Sequence, residues 1–394
     1  MAAMIEALTA NPYRTAFYTL LALPLLATVK VLVHYVISLQ FSAAALRRKV
    51  DGKNVVITGG SKGLGKGIAR VLVESGANVT LVARGVESLK EAQKELQAIA
   101  AKGRQVHIQP IDLSNADKVI DGVRLIRKAM GKIDWVIHNA GTANPGFVAD
   151  QLDQEIDSMI EHNLLSGAYV VKALVATAKE IAEDKKVPAG GRTWAISGLS
   201  QAAQEEMPTK LVFVGSVCSV LSFIGFAGYS ASKYGQRGFC DGLRSEFKPL
   251  GIDVHLFLPA NMDTPGFAVE GETKPQITKQ IEGTLQTVSP EAAAKALFAG
   301  ILSDRYLISN DILGELARVG AQGGVVRPNI ITETIAAPII FIAFSIWVIL
   351  TDIEIKSFSR QRQNRKQTRT RSQTDVLQAA PLFSDSISSI VDSS

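Results

Sequence analysis

The chain has 394 residues and a formal net charge of +5, with 47% apolar and 20% charged residues. That composition suits a folded protein and excludes collagen, a low-complexity fibre and a disordered activator. Two cysteines cannot build a disulfide framework, and the five histidines show no metal-ligand spacing among themselves or with the cysteines, so a metalloenzyme is not expected and no metal site is assigned.

Residues 15–39 form an apolar run of 25, enough to cross ~30 Å of hydrocarbon at about 1.5 Å per residue. Lys30 and His34 interrupt it and Pro24 offers a bend. No basic stretch precedes the run, and it is long for the apolar core of a signal peptide. Residues 1–49 therefore read as a membrane anchor with a basic flank, Arg47-Arg48-Lys49.

Between residues 50 and 315 the pattern changes to six short Val/Ile/Leu-rich runs: Asn54–Thr58, Asn78–Ala83, 105–109, Trp135–His138, 210–215 and Asp253–Leu258. Runs this unbroken belong to strands buried on both faces. Their alternation with helical stretches predicts an α/β domain with a doubly wound parallel sheet. One helix is expected over 86–102, closed by Gly103. Residues 183–209 break the rhythm with Pro, Gly and charges and read as an inserted surface loop.

A second apolar run, residues 335–350, holds 16 residues without a charge, so 316–355 reads as a C-terminal membrane-associated segment. The tail, 356–394, carries seven basic and three acidic residues, suits an anionic membrane surface or plain solvation, and is predicted to be disordered. The positive-inside rule places both basic flanks in the cytosol, which one intervening span forbids. Either the second run is re-entrant or in-plane, or one of the two assignments fails.

The first strand runs into Thr58-Gly59-Gly60-Ser61-Lys62-Gly63-Leu64-Gly65, followed by a helical stretch. Such a loop turns sharply, lets backbone N–H groups approach a pyrophosphate, and opens a helix whose N-terminus favours anions. Gly59, Gly63 and Gly65 meet those needs, with Ser61, Lys62 and Leu64 completing the cradle. An NAD site usually ends its second strand on a carboxylate; here that strand ends at Arg84, and Lys62 lies in the loop. Two cations suit a 2′-phosphate, so the cofactor is read as NADPH. Asp112 and Leu113, after the third strand, are placed to meet the adenine, and Asn139-Ala140-Gly141, after the fourth, to support the cofactor wall.

Tyr229 and Lys233 stand four residues apart, on one face of a helix. A neighbouring ammonium and a positive nicotinamide ring would both draw the phenol's pKa down towards working range. Ser216, 13 residues earlier, can bind the same substrate oxygen, with Ser219 as the alternative. Asn163 can hold a water that connects Lys233 to solvent.

The order strand–TGxxxGxG–helix, Asn139-Ala140-Gly141, Ser216 and Tyr229-x-x-x-Lys233 resembles the short-chain dehydrogenase/reductase family over roughly residues 50–310. The resemblance implies a Rossmann-type fold and a catalytic set of Asn163, Ser216, Tyr229 and Lys233. It also implies that Tyr229 and Lys233 touch the cofactor, and that Pro259 to Thr264 flanks the nicotinamide. Residue 260 departs from the family's usual Pro-Gly pair by being Ala.

The runs Leu81–Arg84, Gly225-Phe226 and Asn261–Phe267 are similar to the branch of that family that reduces the 3-keto group of a long-chain sphingolipid base precursor. That likeness implies a long-chain keto-base lipid substrate, NADPH, and an endoplasmic reticulum membrane with the catalytic domain facing the cytosol. Residues 265–289 would then cover the acyl chain, with Phe267 and Val269 as contacts. A membrane-anchored steroid or retinoid dehydrogenase is the alternative enzyme, and a non-catalytic NADPH-binding membrane scaffold a more distant one. Nucleic acid is not an expected partner. By family analogy a homo-oligomer is.

Overall fold

The computed structural model describes residues 12–184, 199–283, 287–321 and 327–391, with side chains from 22 to 361. Its centre is one sheet of seven parallel strands in the order β3-β2-β1-β4-β5-β6-β7. The strands are β1 Asn54–Thr58, β2 Asn78–Ala83, β3 Val106–Pro110, β4 Trp135–His138, β5 Lys210–Val214, β6 Asp253–Leu258 and β7 Leu307–Ser309. The six unbroken apolar runs are thus strands, and their burial on both faces explains why they show no polar alternation. The seventh was not expected, because Leu307–Ser309 is too short to stand out as a run.

Val55, Ile57, Leu81, Ile137, Val212 and Phe257 enter one core with Ile68 and Leu72 of helix Gly63–Glu74 and Leu297 and Phe298 of helix Pro290–Leu302. Each such side chain contributes about 1.5–3 kcal/mol on burial. From β3, at one edge, the chain crosses back to place β4 beside β1. At that reversal the connections leaving β1 and β4 part to opposite faces. A crevice opens beyond the carboxyl ends of the strands, and the candidate site lies there.

Several boundaries differ from the sequence reading. The helix expected over 86–102 ends at Ile99, because Ala100 turns extended, and Gly103 (φ 81°) serves the turn beyond it. The inserted loop is partly helical: helix Ser166–Asp184 runs into its start, Gln201–Glu206 forms a short helix near its end, and 185–198 lie outside the described residues. The tail, expected to be disordered, continues the helix Ile330–Val391.

Two compact units divide the chain, Met1–Phe341 and Ile342–Ser394. In the first, helix Pro12–Ser38 buries Ala27, Val31 and Tyr35, four residues apart on one face, while Leu26, Val29, Val33 and Val36 remain exposed. Ala22–Ser38 and Ala43–Val50 together are apolar enough for a span but are bent by 65°. Ile330–Gln361 is by itself long and apolar enough to cross a membrane.

A buried ion cluster fixes the ends of both apolar segments within the first unit. Arg305 donates to Ser38 Oγ (2.7 Å) and to both carboxylate oxygens of Glu315 (2.6 Å each). Arg318 bridges Glu315 (2.8 Å) and Glu333 (2.9 Å). Burial alone would raise the Glu315 carboxyl, but the Arg318 and Arg305 guanidinia hold it below the usual carboxylate range.

Candidate active site

The glycine loop is built as its residue types require. Gly59 (φ 64°) and Gly63 (φ 52°) occupy left-handed backbone, and a Cβ on Gly65 would stand 2.2 Å from the Gly59 carbonyl oxygen. The loop therefore packs backbone against backbone at the start of helix Gly63–Glu74, leaving amides free to face an anion. Asn139 supports it from β4, donating through Nδ2 to Gly59 O at 3.2 Å, so its side chain braces the cradle.

Lys62 and Arg84 are both exposed, with no ion pair among the described residues. No carboxylate ends β2. Asp112 lies close enough for the Arg84 charge to act on it. Its carboxyl is held below the usual range first by the Ser114 hydroxyl, then by the Ser114 amide, Lys118 and Arg84. Leu113 and Pro259 are buried, and Thr264 caps helix Pro265–Thr273 with its side chain against Gly63. A cradle too tight for any Cβ, with two unpaired cations at its adenosine end, fits a dinucleotide bearing a 2′-phosphate.

The reacting groups stand beside this cradle. Ser216 caps the short turn Val217–Ser219 after β5, its Oγ accepting from Cys218 N at 3.1 Å. Its hydroxyl is within hydrogen-bonding reach of the Tyr229 phenol. Ser219 is fully buried and braces Ser216 N at 3.3 Å, so Ser216 and not Ser219 faces the phenol. Tyr229 and Lys233 share helix Ala227–Phe247, with the Lys233 ammonium 5.8 Å from the phenol ring's centre and donating to Val214 O at 3.1 Å.

Burial raises the Tyr229 phenol well above its usual range; the Ser216 hydrogen bond pulls it back, and the Glu270 charge adds to the rise. Burial, rather than the lowering expected from Lys233, governs this phenol. Lys233 is itself brought down to about 8 by burial.

Asn163 sits in a π-helical turn, Glu161–Leu165, a distortion often found at functional sites. Its Oδ1 accepts from Thr142 N (2.8 Å), and its Nδ2 donates to Thr142 O (2.9 Å) and Ser232 Oγ (2.8 Å). Both amide protons are thus committed, leaving the second lone pair of Oδ1 for the expected water. Gly141 lets Asn163 and Lys233 approach one another. A Cβ there would lie 2.6 Å from Asn163 Oδ1 and 3.6 Å from Lys233 Nζ.

Sequence reasoning missed His138, the last residue of β4. Thr58 Oγ1 accepts from the amides of Asn139 and Ala140 (3.0 Å each), so its own proton goes to His138 Nδ1, also at 3.0 Å. His138 Nε2–H then donates to Ser166 Oγ (3.1 Å), which donates to His162 O (2.7 Å). Burial, helped by the Lys233 charge, lowers this imidazole to about 3 and keeps it neutral. Sequence reasoning also missed the pairing of Lys274 with Glu270 and Glu282 above Phe226: Glu270 and Lys274 stand four residues apart, but Glu282 reaches the same ammonium only across the turn between two helices. At the opposite end of β6, Asp253, His255 and Asp304 are close enough to share an ion, but His255 Nδ1 is hydrogen-bonded with Arg305 O and Asp253 pairs with Lys210.

A glycine cradle, a Ser–Tyr–Lys group and a parallel seven-stranded sheet in this order define a dehydrogenase class. The family model described as short chain dehydrogenase matches residues 53–186 and 191–275. The chain belongs to the short-chain dehydrogenase family.

Within it, the similarity is to enzymes of one step. The chain is 33% identical over 309 residues to the 3-ketodihydrosphingosine reductase TSC10 of Cryptococcus neoformans, covering 78% of this chain and 85% of that protein. It is 32% identical over 281 residues to the 3-dehydrosphinganine reductase of Danio rerio (71% and 76% covered) and 30% identical over 291 residues to the 3-ketodihydrosphingosine reductase of Bos taurus (71% and 80%). In solved structures the fold recurs in an actinorhodin polyketide ketoreductase with NADPH (TM-score 0.54, 23% identity, 68% and 97% covered). It recurs also in an alcohol dehydrogenase from the archaeon Thermococcus sibiricus complexed with 5-hydroxy-NADP (TM-score 0.50, 23% identity, 66% and 96% covered).

Proposed function

We propose that this chain reduces the 3-keto group of 3-ketodihydrosphingosine to dihydrosphingosine with NADPH. The observation that carries the reading is the convergence of Ser216, the Tyr229 phenol and Lys233 beside a glycine cradle flanked by Lys62 and Arg84. The names of its relatives supply the substrate. NADPH, when bound, supplies the hydride that the carbonyl carbon receives.

The chain's residues manage the proton. Ketone reduction needs a protonated phenol, and burial keeps Tyr229 protonated at neutral pH. Ser216 donates to the carbonyl oxygen and stabilises the charge that builds there. As Tyr229 gives up its proton, Lys233, with its pKa near 8, stands one helical turn away to stabilise the phenolate and return a proton. Asn163 fixes the Thr142 turn and Ser232 behind them. Gly59, Ser61, Lys62, Gly63, Leu64, Gly65 and Asn139 form the pyrophosphate cradle, Arg84 the 2′-phosphate contact, Asp112 and Leu113 the adenine end, and Pro259 and Thr264 the nicotinamide flank.

In this reading, residues 50–315 form the catalytic domain. The apolar segments on either side hold it to the endoplasmic reticulum membrane, facing the cytosol, where NADPH is available and where Arg47-Arg48-Lys49 belongs. A lipid substrate fits a site held beside a bilayer.

The test is to incubate membranes carrying the full chain with NADPH and 3-ketodihydrosphingosine and to identify the products by mass spectrometry. Dihydrosphingosine is expected from wild type, with at least ~100-fold less from Tyr229→Phe. No dihydrosphingosine from wild type overturns the function; near-normal product from the variant overturns the role of Tyr229.

A further inference from the structure

Above the reacting groups, helices Pro265–Thr273 and Gln276–Glu282 meet at Lys274, whose side chain is almost fully buried. Its ammonium lies 3.0 Å from Glu270 Oε1 and 2.7 Å from Glu282 Oε2. It also stands 5.3 Å from the centre of the Phe226 ring and 4.9 Å from that of Phe267. Two carboxylates share one ammonium, so the cluster carries one surplus negative charge.

That charge is held next to the reacting phenol. The Phe226 ring is 5.7 Å from the Tyr229 ring, and Thr278 Oγ1 donates to Ile224 O at 2.7 Å, pinning the second helix to the loop that leads into Tyr229. Gly225 (φ 83°) allows the close approach, since a Cβ there would meet Thr278 Oγ1 at 2.6 Å. The Glu270 charge acts on the phenol itself.

For a neutral ketone this placement is unfavourable. A surplus carboxylate beside the proton donor opposes every negative charge that develops as the carbonyl is reduced. The opposition disappears when the substrate brings a cation of its own next to the carbonyl. A long-chain 3-keto base does so, because its protonated amine sits on the carbon adjacent to the ketone.

We propose that Glu270 binds the substrate's ammonium group, while Glu282 retains Lys274, and that Glu270 thereby selects α-ammonium ketones over neutral ones. The inference rests on the functional reading above and names the residue that enforces it. Glu270 is a specificity residue of the same site, linked to the Tyr229 ring through Lys274 and Phe226 and outside the proton path.

The experiment uses the full chain in detergent with NADPH and three ketones: 3-ketodihydrosphingosine, its N-acetyl derivative, and the des-amino ketone 1-hydroxyoctadecan-3-one. Wild type should favour the free amine by about 10- to 100-fold in kcat/KM, the scale of a charge-assisted contact. Glu270→Gln should reduce that preference to within about threefold, chiefly through KM for the amine. Lys274→Met, which frees the second carboxylate, should increase it and supplies an independent reading should Glu270→Gln fold poorly. A ratio unchanged in Glu270→Gln, or a Lys274→Met variant that loses the preference, overturns the inference alone. A wild type that reduces none of the three overturns the functional reading and the inference with it.

Discussion

Replacing Gly65 by alanine tests the cradle directly. The added methyl carbon would lie 2.2 Å from Gly59 O, 2.7 Å from Asn139 Nδ2 and 2.8 Å from the Gly59 carbonyl carbon. Carbon contacts settle at about 3.5 Å or more, so the loop must retreat by roughly 1 Å, and all three obstructing atoms belong to the cradle. The retreat pulls apart the Asn139–Gly59 hydrogen bond, already 3.2 Å long, and turns the loop amides from the pyrophosphate. Two amide hydrogen bonds to a charged phosphate are together worth about 3 kcal/mol or more, which is a rise of at least ~100-fold in the Kd for NADPH. Titration of NADPH fluorescence measures it, with thermal unfolding to confirm the fold. Gly238→Ala is the control. It lies on the helix that carries Tyr229, and nothing stands within 4 Å of the new carbon, so it should bind NADPH as wild type does and gain up to about 1 kcal/mol of helix stability. A Gly65→Ala protein that binds NADPH within threefold of wild type would refute the claim that this backbone contact shapes the site.

Other consequences follow from named groups. Lys62→Ala and Arg84→Ala should each cut the preference for NADPH over NADH by about 10-fold or more, read as the ratio of kcat/KM values, because each removes a charge-assisted contact that only the 2′-phosphate can make. Ketone reduction should slow by roughly tenfold per pH unit above about 8, as Lys233 loses its proton, a profile that stopped-flow NADPH oxidation will show. Stability moves the other way: the folded amine binds fewer protons than an ordinary lysine, so this group makes unfolding costlier as pH rises from about 8 towards ~10.4. The Glu315 carboxyl, held below its usual range, contributes stability above the ordinary Glu pKa that is lost as pH falls through its folded value. Glu315→Gln should cost about 3–5 kcal/mol in denaturant melts at neutral pH and weaken that acid sensitivity, because two buried guanidinia lose their shared partner.

Much of the chemistry could be read before folding because it is local. The glycines at 59, 63 and 65 are spaced along one turn, and Tyr229 and Lys233 along one helical turn, so spacing alone carries their geometry. Strands buried on both faces advertise themselves as unbroken Val/Ile/Leu runs, whereas Leu307–Ser309, at the sheet's edge and three residues long, does not. His138 gave no local signal: its role depends on Thr58, 80 residues away, having spent its lone pairs on two other amides. The π turn at Glu161–Leu165 likewise follows from Asn163 being pulled towards Thr142 and Ser232, a tertiary demand invisible in periodicity. The phenol's environment shows a related limit. Proximity to Lys233 is written in the sequence, but burial is not, and burial is the larger effect.

The same distinction explains how the apolar segments relate to the catalytic helix. Neither segment carries a motif, yet Ser38 at the end of the first and Glu333 near the start of the second enter one ion cluster through Arg305, Glu315 and Arg318. The residue after Arg305 is Tyr306, whose hydroxyl donates to Asp241, two turns beyond Lys233 on the helix that carries Tyr229. A buried cluster of this kind tolerates no missing member, since any partner withdrawn leaves an uncompensated charge. The chain from Ser38 through Arg305 and Tyr306 to Asp241 therefore resists shear at each step. A continuous set of polar contacts thus joins the ends of both apolar segments to the helix that carries the reacting phenol, all within the first unit. Positioning of this sort demands charged residues where hydropathy alone would have called for more grease, and Glu315, Arg318 and Glu333 supply them.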